Sequence, residues 1–311
     1  MSTPEMVSGA WRDISYGKKY PGAGWMKYLA ADAMDGHSAL EHLQSGAIKP
    51  ENIFIVSEER QTHALFLEQM GAKKTVQLCL ESPMFAPRFY DGLKNSARTL
   101  YENSMLFSGG TEHVYFPSFD DLGLEKAPIP WAERHQKPLV AVCANKHYSS
   151  FQHGFANSPT FAKALKHQLH DKRREAFNYF LYRDMLDLYG RGWGMGIEAA
   201  HDKLETIRDY RFALCFENCR WPGYITEKII DCFVAGTIPI YLGAPDIAEY
   251  IPEEFFIRGE LGFEAIEEKI SNLSPKRAEE MILEAWIWLK YGAGRQYDNY
   301  SFAERIKELC R

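Results

Sequence analysis

Three short stretches put ionisable side chains where a bound anion or an attacking hydroxyl could use them. The first lies inside RFALCFENCRWPGYITEKIIDCFVAGTIPIYLG (211–243). Its apolar run Phe212–Phe216 reads as a strand buried on both faces. The run stops abruptly at Glu217–Asn218, so two polar groups land at the strand's carboxyl end. After a loop containing Pro222–Gly223, Thr226 is placed to cap a helix, and Lys228 falls in its first turn. There the helix dipole disfavours a cation by about 0.3–1 kcal/mol, and a bound anion turns that penalty into attraction. The structural alternative is that Lys228 simply pairs with Glu227 or another nearby carboxylate.

The second stretch is His170–Phe180, HDKRREAFNYF, where Lys172, Arg173 and Arg174 crowd ahead of the apolar Ala176, Phe177 and Phe180. If a helix begins or breaks here, three cations stand at its N-terminal end, and the planar fork of arginine suits a diphosphate. A solvated basic stretch inside one long helix is the alternative. The third is Leu80–Glu81–Ser82–Pro83, directly after an apolar run. Pro83 pushes Ser82 to extended geometry, so the strand ends in a sharp turn and presents Glu81 as a candidate general base. Set against that is an exposed carboxylate without a role. The glycines of Gly190–Gly196 do not fit G-x-G-x-x-G, and no Asp-x-Asp pair or zinc-protease motif occurs.

Ligands of open α/β sheets bind at the carboxyl ends of strands beside helix N-termini, so the elements around these stretches matter. Asn52–Val56, Thr75–Leu80, Leu139–Ala144, Met185–Tyr189, Phe212–Phe216 and Thr237–Leu242 read as strands. Helical spacing marks Gln61–Met70, one long stretch across Thr160–Tyr182, Ala199–Arg208 and Glu227–Val234, with Gly236 ending the last. Residues 1–50 read as helical. Ala278, Met281, Ile282, Ala285, Trp286 and Leu289 form a buried stripe on a C-terminal helix. Alternation of this kind implies parallel sheets, and a polar, proline-rich passage around Pro117–Trp131 suggests a boundary between two lobes.

A chain of 311 residues suits two domains, and 46% hydrophobic with 25% charged residues describes an ordered globular protein. The formal net charge of −6 argues against a nucleic-acid-binding surface while leaving room for a local cationic pocket. None of the six cysteines falls in a C-x-x-C pair, which suits a reducing compartment and gives no zinc signature. The N-terminus lacks the pattern of a signal peptide and no window reads as a membrane span, so the expectation is a soluble, cytoplasmic chain. Peripheral attachment at the inner face of a membrane is left open.

The stretch Phe212–Ile257 closely resembles the signature of the α1,3/α1,4-fucosyltransferase family, glycosyltransferase family 10. That signature runs F-x-L-x-F-E-N-x…Y-[VI]-T-E-K, then A-G-[TS]-[IV]-P-[IV]-x-x-G, then a Pro and a Phe-Ile. The resemblance implies an α/β fold of glycosyltransferase-B type, two Rossmann-like lobes facing a cleft. Residues 1–130 would form the acceptor-binding lobe, and 131–311 the GDP-fucose-binding lobe with its C-terminal helices. It further implies inverting transfer of L-fucose from GDP-fucose to a GlcNAc-type hydroxyl of an oligosaccharide or polysaccharide such as N-acetyllactosamine. Asn218, Tyr224, Glu227 and Lys228 match donor-binding positions, Lys228 as a diphosphate ligand and Glu227 as a contact to ribose or fucose hydroxyls. Arg174, in R-R-E-A-F-N-Y, resembles the family's diphosphate-binding arginine, and Glu81, in L-E-S-P, its proposed catalytic base. No cofactor or metal is required on this reading, with stimulation by a divalent metal left open. The competing readings are an inverting transferase for another sugar nucleotide and a non-catalytic glycan- or nucleotide-binding module.

Overall fold

From Leu139 onward strands alternate with helices, and every pairing between the named strands is parallel. The computed structural model describes residues 5–8, 33–35, 41–47, 49–50, 53–58, 70–71, 73–78, 82–92, 100–102, 113–114, 124–146, 155, 157–194, 196–301 and 303–304. The chain divides into two units, the first comprising Met1–Glu81, Arg88–Asp120 and Gln296–Arg311, the second Ser82–Pro87 and Asp121–Arg295. Against the boundary expected at 130/131, the main division falls at 120/121. Ser82–Pro87 belongs with the second unit and the C-terminal Gln296–Arg311 with the first.

The first unit holds six strands, β1 (Glu5–Ser8), β2 (Ala33–Asp35), β3 (Ile53–Glu58), β4 (Lys73–Leu78), β5 (Leu100–Glu102) and β6 (His113–Val114). They lie in the order β2-β1-β3-β4-β5-β6, and the helix α1 (Pro87–Gly92) falls between β4 and β5 in sequence. The helical reading of residues 1–50 is corrected here: two strands, β1 and β2, fall within that span. Four and three residues are too few for a period-2 pattern to register, so their state is decided by pairing rather than by local sequence. The helix expected over Gln61–Met70 lies, apart from Met70, outside the described residues.

The second unit contains β7 (Leu139–Val142), β8 (Leu186–Tyr189), β9 (Phe212–Phe216), β10 (Ile238–Leu242) and β11 (Ile257–Arg258), in the order β11-β10-β9-β7-β8. Its helices are α2 (Pro159–Lys166), α3 (His170–Tyr182), α4 (Lys203–Arg208), α5 (Glu227–Ala235), α6 (Phe263–Asn272) and α7 (Pro275–Tyr291). All residues of β9 and β10 are buried, as strands covered on both faces must be. Leu139, Phe177, Phe180, Phe212, Ile238 and Ile240 form the centre of the core, with Ala278, Met281 and Ile282 of α7 packed into it. Chain order runs from β7 to β8 on one side and then to β9 on the other. The switch point of this sheet therefore lies between the carboxyl ends of β7 and β9, where α/β folds bind their ligands.

The single long helix expected over Thr160–Tyr182 is corrected to two. Ser158 caps α2 by accepting from the Phe161 amide at 3.0 Å, and α2 ends at Lys166. Residues 167–169 are then drawn into backbone bonds with the loop after β9. Leu169 N donates to Asn218 O at 3.0 Å, Arg220 N to His167 O at 2.7 Å, and Gln168 bridges Cys219 in antiparallel fashion. Helical hydrogen bonding at those positions is lost to this tertiary pairing, and a new helix N-terminus is created at His170. Among the described residues no helix is long and apolar enough to cross a membrane.

Candidate functional site

The switch point is furnished by the loops and helices that follow β7, β8 and β9. Strand β9 delivers Glu217 and Asn218 to its carboxyl end as expected, and the Glu217 amide donates to Leu242 O at 2.8 Å, extending the β9–β10 ladder by one rung. Glu217 is 0% exposed. Its carboxylate accepts from the Thr226 amide (2.8 Å), from the Thr226 hydroxyl (2.8 and 2.9 Å) and from Lys228 Nζ (2.8 Å). Thr226 is the cap of α5, its Oγ1 accepting from the Lys228 amide at 3.3 Å and from Lys228 Nζ at 2.8 Å.

Lys228 is therefore paired, but with Glu217 rather than Glu227. Burial on its own would lower its pKa; Glu217 and then Glu227 outweigh that and hold it above the usual lysine range. An ammonium carries three donors, so two bonds to Glu217 and Thr226 leave one N–H for a ligand. The lysine is fixed in the first turn of a helix, where a bound anion also meets the positive end of the dipole.

Close approach makes this arrangement possible. A Cβ on Gly243 would sit 2.4 Å from the Tyr241 hydroxyl and 2.5 Å from Glu217 Cγ. Gly243→Ala is expected to cost about 1–3 kcal/mol through overpacking, read by urea unfolding, because Glu217 must shift.

Glu227 lies one residue before Lys228 and takes a different cation. Lys203, at the start of α4, donates to Glu227 Oε1 at 3.3 Å and to Asp231 Oδ2 at 2.6 Å. Burial alone would raise the Glu227 pKa, but Lys228 and Lys203 bring it down to about 2. Its contribution to stability is thus complete above the unfolded carboxyl value of about 4.3 and is lost as pH falls through the folded value. Lys203→Met should move that acid loss to higher pH and cost about 1.5–3 kcal/mol near neutrality, by removing hydrogen bonds between charged groups; urea midpoints measured across pH check both. Lys203 was not singled out from the sequence. The available signal was a lysine immediately after a capping residue, since Asp202 accepts from the Glu205 amide at 2.9 Å.

The basic stretch falls, as the first sequence alternative required, at a helix N-terminus. Its arginines separate by depth. Arg173 is 4% exposed and donates from Nη2 to Phe216 O at 2.8 Å and to Asn218 Oδ1 at 3.0 Å, tying α3 to the end of β9. Arg174 is 27% exposed and pairs with Asp171. Asn218 in turn donates from Nδ2 to the hydroxyl of Tyr224 at 3.3 Å, and that ring is buried. Asn218, Tyr224, Glu227, Lys228 and Arg174 thus belong to elements that meet at one switch point, while Glu81 lies outside the described residues.

The glycine loop that fitted no dinucleotide pattern borders the same place. Gly190, at φ 148°, passes so close to β7 that a Cβ would lie 1.9 Å from Cys143 O. Trp193 Nε1 donates to that same carbonyl at 2.7 Å, and Asn145 Nδ2 to Gly192 O at 3.1 Å. Gly190 and Gly192 thus serve a close packing of β8's loop on the end of β7, whereas a Cβ on Gly194 or Gly196 would meet open space.

Two units with parallel sheets, the second with cationic groups and a capped helix at its switch point, have the architecture of the glycosyltransferase-B fold. A crystal structure of an α1,3-fucosyltransferase with GDP-fucose matches 100% of this chain and 92% of its own at a TM-score of 0.50 and 15% identity. A glycosyltransferase from Rickettsia africae matches 98% and 97% of the two chains at a TM-score of 0.51 and 10% identity. Residues 158–308 match the family described as glycosyltransferase family 10 (fucosyltransferase) C-term, and this part of the chain is a domain of that family. Among curated relatives, the α-(1,3)-fucosyltransferase FucT of Helicobacter pylori is 49% identical over 55 residues, 17% of this chain and 12% of that protein. Mouse α-(1,3)-fucosyltransferase 4 is 39% identical over 92 residues, 29% and 20% of the two. The matched stretches therefore span only a fifth or less of these relatives' length.

Proposed function

We propose that the protein is an inverting fucosyltransferase that moves L-fucose from GDP-fucose to a GlcNAc-type hydroxyl of a glycan, through an α1,3 or α1,4 linkage. The observation that carries this reading is Lys228, fixed in the first turn of α5 by Glu217 and Thr226 and left with one N–H to give. Arg174, in the first turns of α3, is the second cation for the diphosphate. Asn218 and Glu227 supply polar groups for ribose and sugar hydroxyls.

The chemistry is direct displacement. Glu81 takes the proton of the acceptor hydroxyl as that oxygen attacks fucose C1 from the face opposite GDP, and the C1–O bond to the diphosphate breaks with its electron pair staying on GDP. Arg174 and Lys228 stabilise the charge growing on the departing diphosphate, where preorganised cations act most strongly. The setting that suits this reading is the cytoplasm.

The test is GDP release from GDP-fucose with and without N-acetyllactosamine, comparing the natural chain with Glu81→Gln. Release that depends on acceptor and collapses in the variant supports transfer and the base. Acceptor-dependent turnover of GDP-mannose or a UDP-sugar as fast as that of GDP-fucose would contradict the donor assignment, and a chain that binds no GDP would overturn the reading.

A further inference from the structure

The segment Ser82–Pro87 belongs to the second unit and packs there against α2 and the start of α3. Met84 is buried with Phe161, Ala164 and Cys219, and Phe85 packs against the same cluster. Phe85 also meets His170 edge-on, with ring centroids 5.7 Å apart, and the Lys146 ammonium lies 5.3 Å from the Phe85 ring. The turn is closed by the Ser82 carbonyl, which accepts from the Phe85 and Ala86 amides at 2.8 and 2.9 Å.

Two polar atoms, one at the start of this segment and one on the first residue of α3, have no hydrogen-bond partner although both residues are buried: Ser82 Oγ, with its residue 0% exposed, and His170 Nε2, with its residue 2% exposed. Buried polar groups are ordinarily satisfied, and one that is not points to an unmade contact. His170 opens α3, a helix of 13 residues, and Arg174 stands one turn on along the same face.

The charge state of the ring narrows the ligand. Burial, then Arg173, Arg174 and Lys146, push the His170 pKa down to about 3, so the imidazole is neutral at ordinary pH. A neutral imidazole and a serine hydroxyl both donate and accept, which matches a sugar hydroxyl; anionic phosphate only accepts and is already served by cations.

We propose that His170 Nε2 and Ser82 Oγ are specificity-determining groups that hydrogen-bond hydroxyls of the sugar carried by the bound nucleotide, with Arg174 holding its diphosphate. The proposal rests on the fucosyl-transfer reading and adds to it which residues distinguish nucleotide sugar from bare nucleotide.

The experiment is calorimetric titration of GDP and of GDP-fucose into the full chain, as the natural protein and as His170→Phe and Ser82→Ala. The expected result is GDP affinity unchanged within about two-fold and GDP-fucose affinity weakened roughly ten-fold, the scale of one neutral hydrogen bond. Equal weakening of both ligands, or unchanged GDP-fucose affinity in both variants, overturns the proposal. If His170→Phe no longer binds GDP, its fold is lost and Ser82→Ala decides the matter alone. A natural chain that binds GDP-mannose as tightly as GDP-fucose would instead sink the fucose assignment. In that case the selective loss in the variants, measured with GDP-mannose, still judges these two residues.

Discussion

Lys228→Met is expected to lower kcat/KM for fucosyl transfer by roughly a hundred- to a thousand-fold, about 2.7–4 kcal/mol of transition-state stabilisation. It should also destabilise the fold, because Glu217 is completely buried and would keep only its bonds from Thr226. Removing one partner of a buried ion pair costs about 3–5 kcal/mol, since the stranded charge must be neutralised or solvated. Urea unfolding and initial rates separate the two effects. The double variant Lys228→Met/Glu217→Gln takes away the stranded carboxylate while leaving the activity defect. Its stability should recover a large part of the loss, whereas its turnover should not recover. Recovery of both would mean that Lys228 acts only through folding, and the assignment of a catalytic cation would be lost.

Arg174→Ala is expected to show the opposite division. Its guanidinium is partly exposed and pairs with Asp171 at i,i+3, an arrangement worth well under about 1 kcal/mol. Turnover, by contrast, should fall roughly a hundred- to a thousand-fold if the arginine holds the leaving diphosphate. Arg174→Lys should restore only part of that, because an ammonium is a point charge without the planar fork. The neighbouring Arg173→Ala serves as a control: it breaks the ties to Phe216 O and Asn218 and should lose stability first. Near-natural turnover in Arg174→Ala would remove that residue from the site.

Much of the second unit was legible before any coordinates. Phe212–Phe216 reads as a doubly buried strand because its apolar run is short and continuous, and it is one. Thr226 caps its helix as expected, and Gly236 ends that helix at φ 69°, since capping chemistry is local to a few residues. The C-terminal stripe from Ala278 to Leu289 faces the core because a 3.6-residue period survives any tertiary context, although Trp286 is only partly buried.

Other features depend on groups far apart in sequence, and no local pattern encodes them. Nothing in Thr160–Tyr182 announces a break; it arises because residues 167–169 find better backbone partners in the loop at 218–220, and only then do the arginines stand at a helix N-terminus. The partner of Lys228 is eleven residues away rather than one, because Gly243 lets the β9 terminus close onto α5. Lys203 enters through α4, and Phe85 meets His170 only because Ser82–Pro87, distant in sequence, belongs to the second unit. By itself the sequence determined the central strands of the second unit, the caps of α5 and the residue types of the site, since these follow from nearest-neighbour sterics and periodicity. The tertiary structure decided which charges pair and which arginine stays exposed, because burial and distance are properties of the packed chain alone.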